Sequence, residues 1–160
     1  MKAAYAALRI VAGWLRQGLT PHEIALTLAI GLCLSVPPVL GTTTILCALA
    51  GVVLRLNQPL IQAVNFVAYP LQLLLLVPFF RAGEWLFGAP RTPLSPARML
   101  AMARADLLGT MTALWSVSWH GAVVWALASP PAALAIYLVA RPAIERLAAR
   151  ARGPEIPRAA

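Results

Sequence analysis

Acidic residues are scarce in this chain: five in 160, at Glu23, Glu84, Asp106, Glu145 and Glu155. That scattering leaves no carboxylate cluster of the kind that holds Mg²⁺ in phosphate-processing membrane enzymes. Histidine is scarcer still, with only His22 and His120, and no H-E-x-x-H occurs, so metal-assisted hydrolysis lacks its ligands. There is no G-x-S-x-G either, and Ser118 beside His120, in a run with interfacial tryptophans, reads as an incidental neighbour. The two cysteines, Cys33 and Cys47, show neither C-x-x-C nor metal-ligand spacing and read as small packing residues. The chain is therefore expected to be a non-enzyme with no metal and no cofactor.

Positive charge is plentiful by comparison, with 13 Lys and Arg and a net charge of +8. The basic residues flank apolar runs and are not interleaved with aromatics, which excludes nucleic acid as the expected partner and favours anionic lipid head groups. Hydrophobic residues make up 61% of the chain and charged residues 11%, with a mean hydropathy of +0.78. These values describe an all-α integral membrane protein, and 160 residues supply one membrane domain.

The N-terminus carries Arg9 and Arg16, which interrupt the apolar core that a cleavable signal peptide would need. Lys2, Arg9 and Arg16 recur every seven residues, so residues 1–19 are expected to form an amphipathic helix lying in the membrane interface. An ordinary helix packed on the membrane domain is the alternative. Thr20, Pro21 and Glu23 then read as N-cap, first helical residue and capping-box partner of the next helix. Residues 20–148 form the expected membrane domain, and 149–160 a basic cytoplasmic tail.

Three stretches carry no charge: Ile24 to Leu54 (31 residues), Leu56 to Phe80 (25) and Leu107 to Ala140 (34). A single crossing needs about 20 apolar residues and a full hairpin about 40. Short Pro/Gly-broken hairpins that enter and leave by one face fit these lengths, over about 21–55, 58–88 and 106–141. In the first, Pro37 and Pro38 end an arm, Gly41 permits the turn, and Thr42, Thr43 and Thr44 can cap the second arm. Pro70 marks the expected turn of the second. Three such hairpins put every Lys and Arg on one side, with both termini cytoplasmic and the chain multi-pass in the membrane. The alternatives are a fully spanning first hairpin, a middle run that crosses once, and a third run whose second part, Gly121 to Ala140, spans singly with a kink at Pro130 and Pro131. Cys33 and Cys47, equidistant from Leu40, would sit at similar depth on facing arms of the first hairpin.

Polar residues in the middle run recur at intervals of 4, 3, 4 and 3: Gln58, Gln62, Asn65, Tyr69 and Gln72. On a helix they share one face. Such a stripe either joins helices by hydrogen bonds or lines a polar path. Arg55 and Asn57 stand at the end of the second arm, and Arg81 and Glu84 can pair across three residues. With the Thr42 to Thr44 helix start, the stripe and Arg55 form a candidate site for an anionic or polar substrate such as a lipid head group.

Residues 20–88 resemble a bacterial integral-membrane domain-of-unknown-function family, number twenty sixty-two. The features are an A-x-x-x-A-I-G arm (Ala25 to Gly31), P-x-x-G-x-x-T (Pro38, Gly41, Thr44), R-L-N-x-P (Arg55 to Pro59) and a prolyl turn at Pro70. Many relatives look like having Asn-Pro where this chain has Tyr69-Pro70, with Asn65 upstream. The resemblance implies a bacterial inner-membrane protein whose relatives occur alone or joined to glycosyltransferase-like domains, and no established activity. The plan of paired prolyl half-hairpins is also similar to re-entrant membrane proteins of the DedA type, which are associated with lipid-carrier movement. Two functions are thus expected to compete: a small translocator for a lipid carrier or other polar or anionic substrate, working as a homodimer, and a non-transporting scaffold for a membrane-associated enzyme such as a glycosyltransferase. Water reaching the threonines and the stripe would mark the first, and packing that seals them the second.

Overall fold

The computed structural model describes residues 13–39, 41–90 and 104–152, and every regular element among them is helical. Four helices organise them: α1 (Pro21–Leu34), α2 (Thr43–Val53), α3 (Gln58–Leu86) and α4 (Leu107–Arg152). Most of the amphipathic helix expected over 1–19, the turn residue Leu40 and the tail beyond residue 152 lie outside the described residues.

Helix α1 begins as its sequence predicts. Thr20 accepts from the Glu23 amide and the Glu23 carboxylate accepts from the Thr20 amide at 2.7 Å, with Pro21 in the first helical position. The bond from the Thr20 amide, and after it one from the Thr20 hydroxyl at 2.9 Å, stabilise the Glu23 carboxylate and lower its pKa from the ordinary value. The helix stops at Ser35, whose hydroxyl donates to the Gly31 carbonyl, just before Pro37 and Pro38. Gly41, at φ +88°, turns the chain through a region open to glycine, and α2 runs back.

The second and third hairpins are not formed. Helix α3 runs unbroken for 29 residues through Pro70 and Pro78, and α4 for 46 residues through Pro130, Pro131 and Pro142. Proline fixes φ near the helical value, so it removes a donor without forcing a turn. What separates Pro37-Pro38 from the others is the glycine that follows with positive φ; Pro70 and Pro130-Pro131 are followed by Leu and Ala, strong helix formers. In α4 the Ser129 hydroxyl donates to the Trp125 carbonyl, one turn back in the same helix. Both α3 and α4 are long and apolar enough to cross a membrane. A chain with all its cations on one side does not follow from two such helices.

Small residues let the helices approach. On α1, Ala25 and Ala29 are fully buried four residues apart, and a Cβ on Gly31 would stand 3.1 Å from Val64 of α3. The first core cluster joins Ile24 and Ala25 to Leu60, Val64 and Ile144, with Trp14 and Leu15 packed against it; the second joins Cys47, Leu56 and Ile61. Helix α4 runs antiparallel to both α1 and α3: His22 meets Tyr137, Trp125 meets Cys33, and Gly83 meets His120.

Candidate functional site

The turn between α1 and α2 breaks the helical ladder and leaves backbone carbonyls without helical partners. Three of these carbonyls meet side-chain donors. The Trp125 indole of α4 donates to the Cys33 carbonyl at 2.8 Å, the Gln72 amide of α3 to the Pro37 carbonyl at 3.0 Å, and the Thr42 hydroxyl to the Val39 carbonyl at 2.9 Å. Pro37, Pro38 and Gln72 are fully buried. Thr42 therefore points back into the turn and does not cap α2, which starts without a side-chain cap.

The polar stripe faces this hairpin. Gln58 donates to the Ala48 carbonyl at 2.9 Å, Gln62 to the Thr44 carbonyl at 3.3 Å, and Asn65 to the Thr44 hydroxyl at 3.2 Å. With Gln72 on Pro37, four of the five stripe residues clasp α2 and the turn, and the partners step along the hairpin as the stripe steps along α3. Tyr69 is the exception, exposed on the surface. Gly51 is glycine for the same reason: a Cβ there would overlap the Gln58 side chain. Thr43 is buried and Thr44 exposed.

Arg55 owes its place to backbone geometry. It sits at φ +53°, the left-handed residue that ends α2, with the Leu56 amide bonded to the Gly51 carbonyl at 2.9 Å and the Arg55 amide to Val52 at 3.3 Å. Leu56 is buried in the second core cluster, and Asn57 caps α3 by accepting from the Leu60 amide at 2.9 Å, with Pro59 in the first turn. The whole R-L-N-x-P stretch is thus a helix stop joined to a helix start. Where α3 ends, the equivalent position is Gly88, at φ +60°. An arginine in this conformation is strained by about 1 kcal/mol. Arg55→Gly should accordingly raise the thermal unfolding temperature in detergent, and any loss of function in that variant would report the side chain and not the fold.

Cys33 and Cys47 do not face one another. Cys33 directs its thiol to the Ser129 carbonyl of α4 at 3.6 Å, whereas Cys47 lies 3.8 Å from the Ser35 hydroxyl, and that contact sets the register of the hairpin. A Ser35→Cys, Cys33→Ala variant should form a disulfide with Cys47 under mild oxidation, read as a free-thiol count falling to zero.

Two further clusters mark the ends of the bundle. At one, His22, Tyr137, Arg141 and Glu145 form a chain of bonds of 2.8, 3.2 and 2.9 Å tying α1 to α4. At the other, Arg81 pairs with the buried Glu84 at 2.7 Å, as its spacing predicts, and His120 stacks on Phe87 with ring centroids 4.4 Å apart. The carbonyl-capping roles of Ser35 and Trp125 and the close contact at Gly83 were not read from the sequence. Ser35 directly before Val-Pro-Pro is a signal for a helix end; nothing in the sequence pairs Trp125 with Cys33.

Among the described residues the architecture is all-helical, and two apolar helices long enough to cross a membrane hold a broken hairpin, α3 through the buried Gln72 amide and α4 through the Trp125 indole. The sequence profile of an uncharacterised protein family conserved in bacteria, DUF2062, matches residues 8–153, and the chain belongs to that family. No curated protein and no solved structure shows significant similarity to it.

Proposed function

We propose that this protein is a non-transporting scaffold of the bacterial inner membrane, which holds a re-entrant hairpin between two spanning helices and offers a basic cytoplasmic end to a membrane-associated partner such as a glycosyltransferase-like enzyme. One observation carries the reading: the side-chain amide donors that a polar path would offer are already bonded to the hairpin. Gln58, Gln62, Asn65 and Gln72 donate inward to the hairpin, and Thr42 donates to its own turn. A stripe used in this way joins helices, each bond contributing about 1 kcal/mol.

The depth of the turn supports the re-entrant form. Gln72, bonded to Pro37, lies 14 residues into the 29-residue α3, about 21 Å along a helix of about 43 Å. If α3 crosses the bilayer, the turn lies near mid-membrane, where irregular backbone survives only inside protein. In sequence, nine of the 13 Lys and Arg precede α1, lie between α2 and α3 or follow Tyr137, and four fall from Arg81 to Arg104, so by the positive-inside rule this topology turns the end bearing Thr20, Arg55 and Tyr137 toward the cytoplasm.

Reactivity of single cysteines from Val36 to Leu46, with native cysteines replaced, tests the reading beside a lipid-translocation assay in liposomes. The scaffold predicts that positions 36–38 and 43 stay unreactive to aqueous reagents from both sides, and that head-group movement equals that of empty liposomes. Labelling of Thr43→Cys by a membrane-impermeant reagent, with faster head-group movement, would overturn it in favour of the translocator.

A further inference from the structure

The last two turns of α3 border a cavity of about 540 Å³, lined by Arg81, Glu84, Trp85, Gly88 and Ala89. Its size is in the range of small-molecule sites, about 300–1,000 Å³. Residues 81, 84, 85 and 88 lie on one face of the helix, so an acid and a base open on the same space. Glu84 is 3% exposed and accepts from Arg81 Nη1 at 2.7 Å. The Arg81 guanidinium is 41% exposed and has no other protein partner among the described residues, which leaves its remaining N–H donors for a ligand. A carboxylate accepts at several positions at once, so Glu84 can hold Arg81 and still offer negative charge to the cavity.

The surroundings of the cavity indicate what reaches it. Gly83 of α3 meets His120 and Gly121 of α4, and the two helices are antiparallel, so Trp85 and Trp119 stand at about one level, with Trp115 a turn further out. All three are exposed, by 83%, 61% and 74%. Exposed tryptophans at the end of an apolar spanning helix mark the head-group layer of a bilayer. Toward the middle of α3 the exposed side chains are Val77, Leu74 and Leu73, a surface suited to acyl chains. A ligand of this cavity thus has hydrocarbon on one side and water on the other, as a lipid head group does. Its charge follows from the lining. Arg81 alone would favour a plain anion, but Glu84 beside it repels one and attracts an ammonium. A zwitterion satisfies both, and a primary ammonium, unlike a quaternary one, has N–H groups to give the carboxylate.

We propose that this cavity binds the head group of a zwitterionic phospholipid with a primary amine, phosphatidylethanolamine, its phosphate on Arg81 and its ammonium between the Glu84 carboxylate and the Trp85 ring. The proposal rests on the scaffold reading only in taking α3 and α4 to span the bilayer. It adds a lipid selected by head group at the end opposite Thr20, Arg55 and Tyr137.

The test uses the full chain, delipidated in detergent, and native mass spectrometry with phosphatidylethanolamine, phosphatidylcholine and phosphatidylglycerol of matched acyl chains. Phosphatidylethanolamine should bind about tenfold more tightly than either of the others, the scale of one charge-assisted hydrogen bond. Glu84→Gln should abolish its preference over phosphatidylcholine, and Arg81→Gln should weaken binding of both. Ala89→Trp fills the cavity without touching the ion pair and should have the effect of Arg81→Gln at an unchanged unfolding temperature. Arg146→Gln, at the other end of the molecule, should leave the ratio as it is. Equal binding of phosphatidylethanolamine and phosphatidylcholine would overturn the proposal, as would tighter binding of phosphatidylglycerol. Variants at Arg81 and Glu84 that lower the unfolding temperature but keep the parent's lipid preference would make the ion pair purely structural and also overturn it. Water-soluble glycerophosphoethanolamine should compete only weakly; competition at the lipid's own concentration would mean a site for a free solute and contradict the assignment to a lipid. These readouts concern lipid preference alone, so they succeed or fail separately from the depth of the turn and the absence of transport on which the scaffold reading depends.

Discussion

Gly83→Val should cost the protein about 1–3 kcal/mol of stability, the usual penalty of overpacking, and lower its unfolding temperature in detergent more than any single polar substitution in the stripe. A Cβ at Gly83 would stand 2.6 Å from the His120 carbonyl carbon and 2.8 Å from the Gly121 amide nitrogen of α4, both backbone atoms that cannot rotate away. Helices α3 and α4 must then move apart, and the packing of Phe80 against Gly121 goes with them. Gly83→Ala carries the same first clash and should show a smaller loss in the same direction. Gly88→Ala serves as the comparison: nothing lies within 4 Å of its Cβ, so its cost comes only from φ +60°. If Gly83→Val unfolds at the temperature of the parent, the close crossing of α3 and α4 is wrong.

Gln72→Leu should be the most costly substitution in the polar stripe, at about 1–3 kcal/mol, because it strands the buried Pro37 carbonyl without a donor. The side chain is 1% exposed and its replacement is similar in size, so the loss reports the hydrogen bond more than the packing. Gln62→Leu should cost less than about 1 kcal/mol, since its bond is longer, 3.3 Å, and exposed. Thermal unfolding of both variants in one detergent gives the order directly. A Gln72→Leu protein as stable as the parent would mean that water reaches the turn and supplies the missing donor, which is the condition a polar path requires.

These two positions also show where the sequence was informative. The stripe was legible because periodicity needs only one helix: intervals of 4, 3, 4 and 3 place Gln58, Gln62, Asn65, Tyr69 and Gln72 on a common face whatever they touch. The capping box at Thr20 and the pairing of Arg81 with Glu84 were legible for the same reason, as each lies within one helical turn. What the stripe does was not legible, because its partners at Ala48, Thr44 and Pro37 are 10 to 35 residues away. Proline misled the reading of α3 and α4. Whether Pro70 or Pro130-Pro131 ends a helix depends on the residues that follow and on the helices that pack alongside, and only Pro37-Pro38 is followed by a glycine that turns the chain. Arg55 illustrates a third case: it looked like an interfacial charge or substrate contact, and the structure gives its backbone the task of ending α2.

The proposed scaffold places the prolyl turn, held by α3 and α4, at the middle of the membrane. A nitroxide attached at Val39→Cys, in a cysteine-free chain reconstituted into liposomes, measures this depth through its collision rates with oxygen and with a polar nickel complex. The prediction is a depth near the bilayer centre, with high oxygen and low nickel accessibility, while a nitroxide at Pro59→Cys on the exposed start of α3 reports the aqueous interface. A Val39 nitroxide as accessible to the nickel complex as the Pro59 one would place the turn in water and contradict the account.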